Sequence, residues 1–248
     1  MAKISIITVT YNCAPTLEHT IQSVLLQDHP DVEYIIVDGG STDGTLDIVR
    51  RYRHKIAHFV SEKDDGLYFA LNKGIALATG DIIGILHADD FYTSDDVLTG
   101  VDEMMRIEQA DGFYADLYYV DANNTDKIIR KWRSGKYSHG KFLWGWMPPH
   151  PTFFVKKEVY HKYGAFNTAL RTSADYELML RLIHKHKIKL AYLPEYIVKM
   201  RMGGQSNASV KNRVKANQED RKAWEMNGLK PYFFTLTLKP LRKIFQFL

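Results

Sequence analysis

Ile4-Ser5-Ile6-Ile7-Thr8-Val9 runs straight into Thr10-Tyr11-Asn12, and this change from an apolar, β-branched run to a polar cluster decides the fold because it recurs. Tyr34-Ile35-Ile36-Val37 is followed by Asp38-Gly39-Gly40-Ser41, Ala57-His58-Phe59-Val60 by Glu62-Lys63-Asp64-Asp65, and Ile82-Ile83-Gly84-Ile85-Leu86 by His87-Ala88-Asp89-Asp90. Short, nearly continuous apolar runs of this kind read as strands covered on both faces. Between them lie segments with helical spacing: one from Pro15 to about Leu26, one capped by Thr42 or Asp43 and running to Arg51, a third over Leu67–Ala78 ended by Gly80, and a fourth from Ser94 or Asp95 to about Glu108. Such alternation predicts an α/β fold, a mostly parallel sheet flanked by helices.

In a parallel sheet the four polar clusters share the carboxyl edge, where open α/β sheets bind ligands. Asp, Asn, Gly and Ser are also ordinary loop residues, and any one cluster alone would be read that way. Four in register, with paired carboxylates, point to one site assembled from four segments. The second half is less regular: Phe113–Val120 and Ile128–Trp132 read as strands, Tyr137–Trp146 as an aromatic loop, 175–183 as a helix, and Leu190–Val198 as a further strand.

Bulk properties narrow the class. At 45% apolar and 25% charged residues, the 248-residue chain is ordinary for a folded globular protein. Its single cysteine, Cys13, cannot close an intramolecular disulfide and reads as inert packing. No stretch approaches the roughly 20 apolar residues of a membrane span, and the N-terminus lacks the pattern of a secretory leader. A cytoplasmic protein is therefore expected. The net charge of +4 is uneven: residues 206–248 hold nine Lys/Arg against three acids, a net +6, leaving −2 on residues 1–205. A body without net positive charge argues against nucleic acid as partner.

A dinucleotide would call for Gly-x-Gly-x-x-Gly after the first strand; the chain has Tyr11-Asn12-Cys13-Ala14-Pro15, and a Walker A loop is absent too. Without a backbone cradle, a diphosphate needs a hard divalent cation held by carboxylates, which Asp89-Asp90 can supply. The order and spacing of 6–12 (IITVTYN), 37–45 (VDGGSTDGT), 71–76 (LNKGIA), Gly80-Asp81 and Ala88-Asp89-Asp90 resemble the GT-A family 2 glycosyltransferases, bacterial enzymes of polysaccharide and lipid-linked glycan synthesis. The resemblance covers residue 4 to about 205.

It implies a GT-A (Rossmann-like) catalytic domain over 1–205 and an inverting transfer of a hexosyl or N-acetylhexosaminyl group. The donor would be a nucleoside-diphosphate sugar, UDP- ahead of GDP-, and the acceptor the hydroxyl of a growing or lipid-linked glycan. Thr8, Tyr11 and Asp38 would line the base pocket, Asp38 accepting a hydrogen bond from the base; Asp65 would lie near the ribose or base, with Asp64 an equally placed competitor. Asp89 would contact the ribose and Asp90 bind Mg²⁺ or Mn²⁺. His87 stands where the family's motif usually begins with another acid. Asp175 matches the general base that takes the acceptor's proton; the competing reading is a helix-start acid favoured by the dipole. His150 falls in the acceptor-side segment, where Trp144 or Trp146 would stack on sugar rings or else form a core patch. Arg201 with 203–206 would close over the diphosphate or else form a hinge before the tail. His184 and His186 read as solvated. A non-catalytic nucleotide-sugar-binding subunit of a glycan-assembly complex is the alternative from another class.

The 206–248 extension reads as basic and amphipathic. Pro240 should interrupt a helix, so a short one is expected from there with Leu241, Ile244, Phe245 and Leu248 on one face. Apolar and cationic faces together suit anionic lipid headgroups, so residues 231–248 would hold the protein on the inner face of the cytoplasmic membrane. The competing reading packs the tail on the catalytic body or on a second subunit of an oligomer.

Overall fold

The computed structural model describes residues 1–203 and 210–242, without the side chains of 210–215. Strands β1 (Ile4–Thr10), β2 (Val32–Asp38), β3 (His58–Ser61) and β4 (Ile82–Ile85) pair in parallel in the order β3-β2-β1-β4. Helices α1 (Ala14–Leu25), α2 (Thr45–Arg51), α3 (Leu67–Leu77) and α4 (Val97–Ile107) fill the intervals, close to the expected bounds.

The second half makes the sheet mixed. Strand β5 (Asp90–Tyr92) pairs antiparallel with β9 (Leu190–Arg201), while β6 (Gly112–Val120) pairs antiparallel with β7 (Ile128–Trp132) and β8 (Phe154–Lys156) and parallel with β9. Strand β8 also pairs antiparallel with β4, joining the halves into one sheet. Helices α5 (Lys157–Tyr163) and α6 (Ala174–Met179, continuing as a π-helix over Leu180–Lys185) precede β9; α7 (Val210–Met226) and α8 (Thr235–Leu241) follow it. The strands β5 and β8 span three residues each, too few to show a period.

Alternation along β1 and β2 separates two cores. Ile4, Ile6, Tyr34 and Ile36 face Leu17, Ile21 and Val24 of α1 and Leu98, Val101 and Met105 of α4. Ile7, Val9, Ile35 and Val37 face Leu71 and Ile75 of α3 and the α6–α7 side of the molecule. Helix α3 lies so close to β1 that a Cβ at Gly74 would stand 2.4 Å from Ile7 Cγ2, so only glycine permits this approach. Its neighbours fix the helix along its length: Asn72 exchanges hydrogen bonds with the Phe166 backbone, and Lys73 pairs with Glu62 and Asp64. The Leu71-Asn72-Lys73-Gly74 motif is thus a device for seating α3. No described helix is long and apolar enough to cross a membrane.

At the amino edge, buried Glu33 gathers the hydroxyl of Ser5, the hydroxyl and amide of Thr79 and the Lys3 ammonium at 2.5–2.9 Å. Burial pushes its carboxyl up, but the four donors outweigh it and hold the pKa at about 2 instead of 4.5. A depressed carboxyl pKa stabilises the fold above its unfolded value and stops doing so as pH falls through the folded one. Glu33→Gln should therefore cost roughly 2–3 kcal/mol at pH 7, and urea titrations should find the difference shrinking between pH 4.5 and about 2.

Candidate active site

The carboxyl edge holds two buried aspartates in opposite circumstances. Asp38, at the end of β2, is fully buried and accepts five hydrogen bonds: from the hydroxyls of Thr10, Ser41 and Ser61 and the amides of Gly40 and Ser41, all at 2.5–3.0 Å. Burial raises its pKa and these donors more than reverse that. Its carboxylate organises the 39–41 turn, with Gly40 at φ +83°, and is enclosed by these five donors. Thr8 is likewise internal: its hydroxyl donates to Leu86 O and accepts from Tyr34 OH. Tyr11, by contrast, is 62% exposed above that turn.

Asp90 opens β5 and is fully buried, yet among the described residues neither carboxylate oxygen meets a donor. Burial, then the Asp89 charge, push its pKa well above the carboxylate range, and Arg201 only partly opposes them. The backbone around it is fixed: Thr20 Oγ1 donates to Asp90 O, and β9 pairs with β5 through Met200. Arg201 donates to Asp89 O at 2.6 Å, contacts His19 Nδ1 and lies over the Phe91 ring. Among the described residues no three His, Cys, Asp or Glu side chains converge on a metal position. A cation here would have Asp90 as its protein ligand and take its other oxygens from the donor and water, which suits an orphaned buried carboxylate.

Asp175, in the first turn of α6, is about one-quarter exposed. Tyr68 OH donates to its Oδ1 at 3.2 Å and His150 Nδ1 lies 3.6 Å from its Oδ2. His87 packs edge-on against His150, ring centroids 5.1 Å apart. Burial lowers the pKa of both imidazoles, so both are neutral at neutral pH. The Asp90 amide donates to His87 O at 3.0 Å, so the chain from Asp90 reaches Asp175 through the His87 and His150 rings. Asp64 is nearly buried with one oxygen on Lys73 and the other without a donor, whereas Asp65 is exposed. Both line a cavity of about 680 Å³ with Tyr68, Phe69, Leu170 and Arg171. A cavity of about 730 Å³ at the opposite edge, around Gly80, Asp102 and His161, contains none of the polar clusters.

Several residues lie elsewhere than the sequence suggested. Trp146 is 3% exposed, donates its indole N–H to Ser134 O and packs among Tyr114, Tyr137 and Phe142; it belongs to the core and presents no face to an acceptor. Trp144 is exposed but packs edge-on against Tyr232 and at a tilt against Phe234. His184 is buried against Phe142, Trp224 and His139 rather than solvated. Burial raises the Cys13 thiol to about 11, so it stays protonated and unreactive. Residues 204–206 of the proposed closing loop and Ile244, Phe245 and Leu248 lie outside the described residues. The helix near Pro240 ends rather than begins there, spanning Thr235–Leu241 and packing on the body through Thr235 and Leu236. Tyr68 escaped sequence reading because a tyrosine at helical spacing looks like core, and it is core except for its hydroxyl.

Comparison with known proteins identifies the family. The model of Glycosyl transferase family 2 matches residues 5–178. An uncharacterized glycosyltransferase of Mycobacterium tuberculosis is 30% identical over 180 residues, 72% of this chain and 68% of its own. A PGL/p-HBAD biosynthesis glycosyltransferase of Mycobacterium bovis is 29% identical over 211 residues, 83% of this chain and 80% of its own. Among solved structures, Staphylococcus aureus TarS in complex with UDP-GlcNAc superimposes with a TM-score of 0.71 at 18% identity, covering 91% of this chain and 65% of that one. The mannosyltransferase PcManGT from Pyrobaculum calidifontis in complex with GDP-Man and Mn²⁺ gives 0.67 at 21% identity, covering 96% and 68%. A mixed sheet with its polar loops at one edge, matched over most of its length by that family, makes this chain a family 2 glycosyltransferase of the GT-A fold.

Proposed function

We propose that the protein transfers a sugar, with inversion, from a nucleoside-diphosphate donor to an acceptor hydroxyl on a growing or lipid-linked glycan. The observation that carries this reading is Asp90: a fully buried carboxylate without a donor among the described residues, next to the Asp89 carbonyl that Arg201 holds and linked to Asp175 through His87 and His150. Burying an unpaired charge is costly, and a ligand that brings positive charge removes the cost. Asp90 would hold Mg²⁺ or Mn²⁺, which when bound neutralises the diphosphate as negative charge develops on it. A UDP-sugar is the first expectation and a GDP-sugar the second; solved structures with this fold hold UDP-GlcNAc or GDP-Man, the latter with Mn²⁺.

The chain's own groups divide the remaining work. Tyr11 and Asp65, with Asp64 behind them, receive the nucleoside; Asp38 acts through the turn it holds; Asp89 meets the ribose, and Arg201 lies beside the diphosphate position. Asp175 takes the acceptor's proton through the oxygen facing His150, while Tyr68 occupies the other. The acceptor oxygen bonds to the anomeric carbon as the bond to the departing diphosphate breaks, giving inversion. His150, neutral, borders the acceptor. At the far end of the chain the exposed Tyr232, Phe233 and Leu241, with Lys230 and Arg242, form an aromatic and cationic surface suited to an anionic bilayer on the cytoplasmic face.

Three outcomes follow. Because the folded pKa of Asp90 lies above 3.8, its ionised form destabilises the metal-free protein increasingly as pH rises past that value. Asp90→Asn should raise the melting temperature of metal-free protein at pH 7.5 by roughly 2–5 °C and abolish the further rise that Mn²⁺ with UDP or GDP gives the parent. Asp175→Asn should bind nucleotide and Mn²⁺ as the parent does but lose about 100-fold or more in turnover of its donor, the range of a missing general base. Truncation after residue 230 should abolish cosedimentation with anionic liposomes; unchanged binding would remove the membrane role.

A further inference from the structure

The residues that hold the Asp175 helix in place come from beyond the family domain. The family model ends at residue 178, and α7 lies after it, over Val210–Met226. Glu219 of α7 is 7% exposed, and its Oε2 accepts from the backbone amides of Arg171, Thr172 and Ser173 and from the Thr172 hydroxyl at 2.7–3.1 Å. These three residues lead directly into α6. A helix start leaves its first amides without partners, and the N-cap side chain ordinarily supplies one acceptor. Ser173 occupies the N-cap but makes no such bond; its hydroxyl donates instead to Ala216 O of α7. A carboxylate from another helix, 44 positions further along the chain than Asp175, instead holds the N-cap amide and the two amides that precede it.

The rest of α7 and α8 grips the same helix. Trp224, fully buried, donates its indole N–H to Tyr176 OH at 2.9 Å, and Asn227 donates to Glu177 Oε1 at 2.9 Å. Lys239 of α8 pairs with the buried Asp220 at 2.7 Å and lies 3.7 Å over the Tyr176 ring. Residues 176 and 177 are therefore held from the C-terminal side, while Asp175 between them and the cap faces Tyr68 and His150. The extension is built into the wall on which the base stands.

We infer that Glu219 is a positioning residue for Asp175, and that the helices after residue 210 are a structural part of the active site rather than an appended tail. This rests on Asp175 being the group that takes the acceptor's proton. Glu219 never touches donor or acceptor; it fixes the entry of α6 so that the Asp175 carboxylate stays between Tyr68 and His150.

Glu219→Gln keeps the side chain's size but sets an amide N–H₂ and a weaker acceptor against four donors. Hydrogen exchange measured by mass spectrometry should show faster exchange in the 170–177 peptide of the variant and parent-like exchange in β1 and β2. With UDP-GlcNAc and GDP-mannose as donors and Mn²⁺ present, release of nucleoside diphosphate should fall about tenfold in kcat, with KM for the donor and the affinity for UDP or GDP changed less than twofold. A merely structural loss would weaken donor affinity in step with turnover. Parent-like exchange over 170–177 overturns the inference, as does kcat within twofold of the parent. Should Glu219→Gln fail to fold, Thr172→Val, which deletes one of the four donors, serves in its place with an expected threefold loss, and unchanged kcat and exchange count against the inference. Asp175→Asn run in parallel separates the two readings: if it retains turnover the base assignment fails, and if it is inactive while Glu219→Gln is fully active only the positioning role fails.

Discussion

A buried carboxylate must be given hydrogen-bond donors, a cation or a proton, and the architecture of this site follows from which of these each acid receives. Asp38 receives five donors from two strand ends and a turn, so its charge is consumed in holding the edge of the sheet together. Asp90, on the edge strand β5 six strands along the same sheet, receives none among the described residues. The fold tolerates that cost because β5 is locked between Thr20 and β9 and cannot turn its first residue outward. Stability has been given up at that position, which is the ordinary mark of a site under functional constraint.

Much of this was legible in the sequence, because the first half obeys simple periodicities. Continuous apolar runs gave β1 to β4, helical spacing gave α1 to α4, and the polar residues after each strand placed the site at the carboxyl edge. The second half was harder for physical reasons. Strands of three residues, such as Asp90–Tyr92, carry no period, and an acid at a strand start reads as loop. The pairing of β8 with both β4 and β6, which turns a parallel sheet into a mixed one, is a tertiary fact with no local signature.

Side-chain roles were less legible than positions. Motif spacing located Asp38 at the strand end but not the five donors, from its turn and two strand ends, that enclose it. The two tryptophans of Trp144-Gly145-Trp146 look alike in sequence, yet one is core and the other surface, since the left-handed Gly145 between them reverses their facing. The sequence of the C-terminal extension left membrane binding and packing on the body both open, and its decisive residues are the buried Glu219, Asp220 and Trp224. A helix with so many charged residues hides its buried ones, because polar partners here replace the apolar stripe that periodicity would detect.

The account stands on the claim that Asp90 is left without donors in order to receive a divalent cation together with the donor's diphosphate. Crystals grown with Mn²⁺ and UDP, measured at the manganese absorption edge, test it most directly. The account predicts one anomalous peak bonded to an Asp90 oxygen and to the diphosphate, with Asp38 still enclosed by its five donors. A nucleotide bound with no manganese beside Asp90, or with manganese held by other side chains, would contradict it.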